Sequence, residues 1–269
     1  MRRWLFTGLL MGALVAAGLP ALAAQPDEPA PCDQDTLARL KRHRLGTVED
    51  RARMDVVASA CKPWPFDESI VLAVAAFGDA EGIPGERRLH GTVAMLSAAD
   101  GDVLASHVEE IEEDATTAVQ EGAYRLDTAR YDLADGMRAF GVVFDSSARG
   151  PSCPEGGFDD QLTLFVREGT RLRPVLSTYL DAWRVVSGSV CGSARDAVID
   201  TGHTVLRIEP TRQHGWADIT LSTRVKREAG ADTPHDRRTA HRTLRYNGTL
   251  YQLDPFESLF HWSDPESKP

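Results

Sequence analysis

Apolar residues recur along this chain at two spacings, and the change between them falls near residue 66. Residues 33–45 set Leu37, Leu40 and Leu45 at helical intervals, with Arg39, Lys41 and Arg42 between them. Thr47 then offers an N-cap, and Glu49 and Asp50 fall in the first turn of a second predicted helix. That helix is expected to run towards Cys61, with Met54, Val57, Ala58 and Cys61 on one stripe, until Pro63 and Pro65 stop it. The pattern predicts a small helical hairpin.

Beyond it the pattern becomes short β-branched and apolar runs divided by Gly and Asp. Residues 69–77 (SIVLAVAAF) are continuously apolar, as in a strand buried on both faces. Residues 89–97 and 103–110 flank Ala99-Asp100-Gly101-Asp102, a hairpin signal because Asp-Gly tolerates the positive φ of tight turns. Residues 124–133 and 137–144 flank Ala134-Asp135-Gly136 in the same way, making five predicted strands before residue 150.

Two later hairpins are alike. Residues 165–172 turn at Glu168-Gly169, and 244–251 turn at Asn247-Gly248, with the turn residues at the same offset. A two-residue turn pairs Phe165 with Leu172, Leu244 with Tyr251 and Tyr246 with Thr249. Each hairpin follows a predicted strand, 137–144 in one case and 216–227 in the other. This reads as a weak duplication without the constant period of a propeller. The expected fold is mainly β, an antiparallel sandwich or open barrel of hairpins, preceded by the disulfide-stapled helical hairpin. The segments are 1–23 as a leader, 24–66 as the helical hairpin, 67–257 as the β-rich domain and 258–269 as a tail.

The leader reading rests on Arg2 and Arg3, an apolar stretch over 4–18, and Pro20 before Ala21-Leu22-Ala23, the form of a secretory signal peptide cleaved after Ala23. A retained anchor is the competing reading, but the stretch is short for a span of about 20 residues and is broken by glycines and Pro20. No later stretch predicts a membrane span, so the expected location is periplasmic or secreted. Cys32 and Cys61, and Cys153 and Cys191, lack CxxC spacing, and four cysteines in an exported chain read as two bridges. Three pairings are open; the sequential one, Cys32–Cys61 and Cys153–Cys191, staples two local units. The string Gly215-Trp216-Ala217-Asp218, followed by Tyr246-Asn247-Gly248, resembles the closing segment of exported β-rich proteins of Gram-negative bacteria, a resemblance that implies no activity.

Charge narrows the partners. The net charge of -10 becomes -12 once Arg2 and Arg3 leave with the leader, which argues against nucleic acid and anionic lipid. Glu109-Glu110-Ile111-Glu112-Glu113-Asp114 carries five acids in six residues, either a solvated strand end or a docking surface for a basic protein partner in the envelope. Trp216 and Trp262 are expected to be partly exposed, and Trp216 is a candidate contact for that partner. Trp64 and Trp183 lie beside the cysteines and read as packing residues.

Catalytic motifs are sparse. Gly188-Ser189-Val190-Cys191-Gly192 has Val where a GxSxG nucleophile would stand, and HExxH and a phosphate-binding glycine loop are missing from the sequence. His203, His214 and Asp218 could converge as a catalytic or metal cluster. Asp100 with Asp102, and Asp159 with Asp160, are candidate calcium ligands, though neither pair has EF-hand spacing and turn chemistry accounts for both. No cofactor is indicated. Asn247-Gly248-Thr249 matches a glycosylation sequon and is explained by its turn. These features predict a non-enzymatic binding, inhibitor, immunity or envelope accessory protein. The alternatives are an envelope hydrolase using His203, His214 and Asp218, and a structural or secreted-assembly subunit that accepts a partner's strand.

Overall fold

The computed structural model describes residues 30–192, 197–228, 237–253 and 260–262. The leader at 1–23 with its cleavage point at Ala23, the segment 231–236 with His235, and most of the tail 258–269 lie outside these residues. Helix α1 (Gln34–Arg44) starts on Asp33, whose carboxylate accepts from Thr36 N at 2.9 Å, and ends with basic residues in its last turn. Helix α2 (Val48–Arg53) is capped by Thr47, whose hydroxyl accepts from Asp50 N at 3.0 Å. Here the expected hairpin is corrected: the second helix ends at Arg53, and Met54–Pro63 forms strand β1. Val56 and Val57 lose side-chain freedom in a helix, while Ala58 and Ala60 alternate inward at strand spacing against an apolar neighbour.

The neighbour is β2 (Ile70–Asp79), followed by β3 (Arg88–Ser97) and β4 (Val103–Glu112), all antiparallel. Then come β5 (Tyr124–Ala134), β6 (Met137–Phe144), β7 (Gly156–Glu168), β8 (Arg171–Ser187), β9 (Val198–Gln213), β10 (Trp216–Glu228) and β11 (Arg237–Leu244). All eleven join one curled, open sheet, a half-barrel in the order β1-β2-β3-β4-β8-β7-β6-β5, while β8 also carries β9, β10 and β11. β1 and β5 lie against each other but share no ladder among the described residues. β4 and β8 meet at a single parallel pair, Ser106 and Arg171, where Ser106 N donates to Thr170 O at 3.1 Å.

The curl explains why β2 is apolar throughout. Leu72, Val74 and Ala76 point into the half-barrel, while the alternate residues Ala73, Ala75 and Phe77 pack beneath Leu37 and Leu40 of α1. β6 and β7 are divided likewise: Phe140, Val142 and Phe165 face inward, and Val143, Leu162, Leu164 and Val166 face out beneath Ile219 and Leu221 of β10. Open barrel and sandwich are thus combined, since the β9–β11 extension folds over the outer face of β5–β8.

Both disulfides join the expected partners. Cys32–Cys61 ties the segment before α1 to β1 rather than to a second helix, with Cys61 N donating to Ala30 O at 2.9 Å. Cys153–Cys191 joins the approach to β7 to the exit from β8, closing a loop worth about 4 kcal/mol in the chain-entropy view.

Both late hairpins slip by two residues from the expected pairing. Phe165 faces Pro174, because the turn falls on Gly169-Thr170, and Tyr246 bridges Tyr251 rather than Thr249. Asn247 keeps a negative φ and accepts from Thr249 N and Leu250 N, each at 2.9 Å, so its side chain holds a wider loop. The two-residue loop with both φ values positive is His214-Gly215, between β9 and β10. Trp262 is also corrected: it is buried against Ala182 and Val225.

Candidate trough on the concave face

Beyond Ser106, β4 and β8 separate, and the inner face of the sheet opens there as a trough. Strand alternation sends His107, Glu109 and Ile111 inward, opposite Val93, Gly91 and Leu89 of β3. Gly91 matters because a Cβ there would lie 2.8 Å from Glu109 Cγ; its absence lets the Glu109 side chain lie over the backbone. Across the opening, the inward positions of β7 and β8 change from Phe165 and Pro174 through Thr163 and Ser177 to Gln161 and Tyr179, then Asp159 and Asp181. The wall is apolar at one end and acidic at the other.

Two cavities fill the trough, about 410 Å³ beside β4 and about 440 Å³ beside Asp159, and they share Thr117, Phe144 and Gln161. Aromatic surface comes from Tyr124 stacked obliquely on Phe144 (5.6 Å between centroids), from Phe158 beside Tyr179 (5.0 Å), and from Trp183. Trp183 fits because its ring covers Gly157, where a Cβ would sit 2.3 Å from Nε1. Burial, then the charge of Glu109, holds the Tyr124 phenol above its ordinary range, so it stays a hydrogen-bond donor.

Charge in the trough is unevenly compensated. Arg125 grips Asp160 with two bonds of 2.9 and 2.6 Å, and His203 Nδ1 lies 2.8 Å from Asp181. Asp160 holds a positive φ of 54°, which Asp tolerates better than most side chains. Asp159 has no such partner among the described residues; partial desolvation, then Asp145, Asp160 and Asp181, raises its pKa.

The acidic run behaves differently. Glu110 meets Arg44 and His90, Glu112 meets Arg88 at 2.8 Å, and Asp114 accepts from Thr116 N and Thr117 N at 2.7 and 2.8 Å. Glu113 is saturated: Arg87 Nη2 and Nε donate to it at 2.7 and 2.8 Å, and Val119 N and Gly85 N at 2.8 Å each. Burial alone would raise its pKa, but these bonds prevail and lower it to about 2. The run therefore builds the rim loop that carries Thr117, and Glu109 alone of the five turns its carboxylate to the trough.

The remaining candidates do not come together. His203 lies mid-strand in β9, while His214 occupies the β9–β10 turn about 30 Å further along at strand rise. Asp218 is buried and accepts from Thr211 Oγ1 at 2.8 Å; its place on β10 is some 20 Å from that of His203. The hydrolase arrangement of His203, His214 and Asp218 is thus not assembled. Asp100 shapes the β3–β4 turn by accepting from Asp102 N at 3.1 Å, and Asp102 faces Arg39 at 3.8 Å. No group of three or more His, Cys, Asp or Glu able to hold a metal occurs among the described residues. Trp216 is taken up internally, stacked on Tyr246 at 4.2 Å with Arg173 over its ring. No helix among the described residues is long and apolar enough to cross a membrane.

The sequence reading missed Tyr124, Phe144, Tyr179 and Trp183 as a group, because three separate strands, β5, β6 and β8, bring them together. The available signal was Gly156-Gly157 inside a strand, a mark of close approach. Compared with known proteins, the chain matches no family model, no curated protein and no solved structure.

Proposed function

We propose that this is an exported protein that works by binding, an accessory or inhibitory factor of the bacterial envelope, and that the trough holds its ligand. The observation that carries the reading is the meeting of under-compensated carboxylates, Glu109 and Asp159, with the aromatic wall of Tyr124, Phe144 and Tyr179. A ligand with a cationic group and an apolar or aromatic body satisfies both: the cation relieves the repulsion around Asp159, and the body covers the wall. Two disulfides support an oxidising compartment. The basic partner expected from the acidic run is accordingly assigned to the trough, since the run's other acids are engaged.

The test uses dansylcadaverine, an aromatic probe with a primary ammonium, against dansylglycine, its carboxylate counterpart. Saturable fluorescence enhancement is expected with the first and not the second. Glu109→Lys with Asp159→Lys should weaken binding at least about ten-fold, the loss of a little over 1 kcal/mol. Equal binding of both probes, or indifference to the double substitution, would sink the reading.

A further inference from the structure

We infer that the free edge of β4 accepts an extended, basic segment of a partner polypeptide, which adds as a strand in the slit between β4 and β8. The inference deepens the trough reading and rests on it. Ser106 N points away from β3 and donates to Thr170 O, so strand alternation turns the N–H and C=O groups of Val108, Glu110 and Glu112 to the same side, into the slit. After the single pair Ser106 and Arg171, no strand among the described residues meets this edge.

The opposite edge is not equivalent. On β8, Pro174 lacks an N–H, Val175 O already accepts from Tyr251 N at 2.8 Å, and β9 takes over from Asp181. The slit therefore has one open acceptor edge and one largely closed bank. Residues 107–112 run about 20 Å, enough for a guest of five or six residues.

Charge selects the guest. Glu109 beside the inner face would flank alternate side chains of the added strand, with half-exposed Val108 on the outer face, where Glu110 and Glu112 are already met by Arg44, His90 and Arg88. Charged residues along an open edge deter pairing with neutral or acidic strands, so the edge discriminates in favour of Lys or Arg. Main-chain bonds supply pairing, and the Glu109 carboxylate supplies specificity.

The experiment is amide hydrogen exchange of the full protein with three synthetic peptides: acetyl-(Lys-Val)4-amide, its Glu-Val counterpart, and a Lys-Val peptide N-methylated at every residue, which keeps charge but cannot pair along either edge. Without peptide, the amides of Val108, Glu110 and Glu112 should exchange quickly. The Lys-Val peptide should slow them at least ten-fold; the other two should not. If both Lys-Val peptides displace dansylcadaverine but none protects these amides, strand addition is wrong and the trough reading stands. If neither peptide nor dansylcadaverine binds, both fail.

Discussion

Two acidic regions lie near each other on this molecule, and they have opposite electrostatic fates. At the end of β4, Glu113 sits with no exposed side chain against Arg87, with three backbone N–H groups completing its shell. In the trough, Asp145, Asp159, Asp160 and Asp181 crowd together, and only Asp160 has a two-bond arginine partner. One carboxylate is held below its usual range and the other is pushed above it. Density of acids in a sequence therefore does not locate a binding surface; supply of partners does. The densest run is mostly structural, and the sparser set, gathered from β7, β8 and the loop after β6, is left short of positive charge.

The sharpest way to break this contrast is Glu113→Gln. Removing the charge leaves Arg87 uncompensated, its guanidinium side chain only 13% exposed, and a loss of about 3 kcal/mol is expected by urea unfolding at pH 7. The pH dependence has a definite sign. The folded pKa of about 2 lies below the ordinary 4.5, so the carboxylate's contribution is complete above 4.5 and disappears as pH falls towards 2. Wild type should lose stability across that window more steeply than Glu113→Gln. Parallel curves would remove Glu113 from the structural side of the comparison.

How much of this was visible in the sequence depends on how local the cause is. Strand β2 is legible because burial of both faces leaves no polar position, and the Asp-Gly hairpins because a positive φ is a property of one residue. Two bridges followed from the expected compartment and the even count, and the pairing Cys32–Cys61 and Cys153–Cys191 from the preference for stapling local units. β1 was misread because Met54, Val57, Ala58 and Cys61 satisfy a helical stripe as well as they fill a strand, and pairing with β2 decided the matter. The 244–251 hairpin slipped because side-chain bonds from Asn247 favour a wider loop than Asn-Gly alone implies, and the 165–172 hairpin because its turn falls on Gly169-Thr170 rather than Glu168-Gly169. The trough could not be assembled from the sequence, although Glu109 and Asp159 were each candidates: Glu109 is distinguished from Glu110 only by which face of β4 it occupies, and that depends on register with β3.

A smaller effect of opposite direction is expected from Asp159→Asn. Because its pKa is raised in the folded protein, the charged form is disfavoured there, and its removal should stabilise the protein at pH 7. Asp159 is solvent-exposed, so the gain is limited to a few tenths of a kcal/mol, read as a slightly higher urea midpoint. The advantage should vanish near pH 3, where wild type is itself largely protonated. A destabilised variant would mean that an unseen partner already compensates this carboxylate.

The smallest effect belongs to Glu112→Gln, and it separates position from composition most cleanly. Glu112 adjoins Glu113 in sequence and also contacts an arginine, at the same close range, yet both side chains of its pair with Arg88 are about 70% exposed. Water already solvates both charges, and fixing two long side chains costs entropy, so the pair contributes little. Unfolding free energy should change by less than about 0.5 kcal/mol, and added salt should not alter the difference. A loss approaching that of Glu113→Gln would show that the acidic run acts as one network, and the division between a structural rim and an under-compensated trough would have to be redrawn at Glu112.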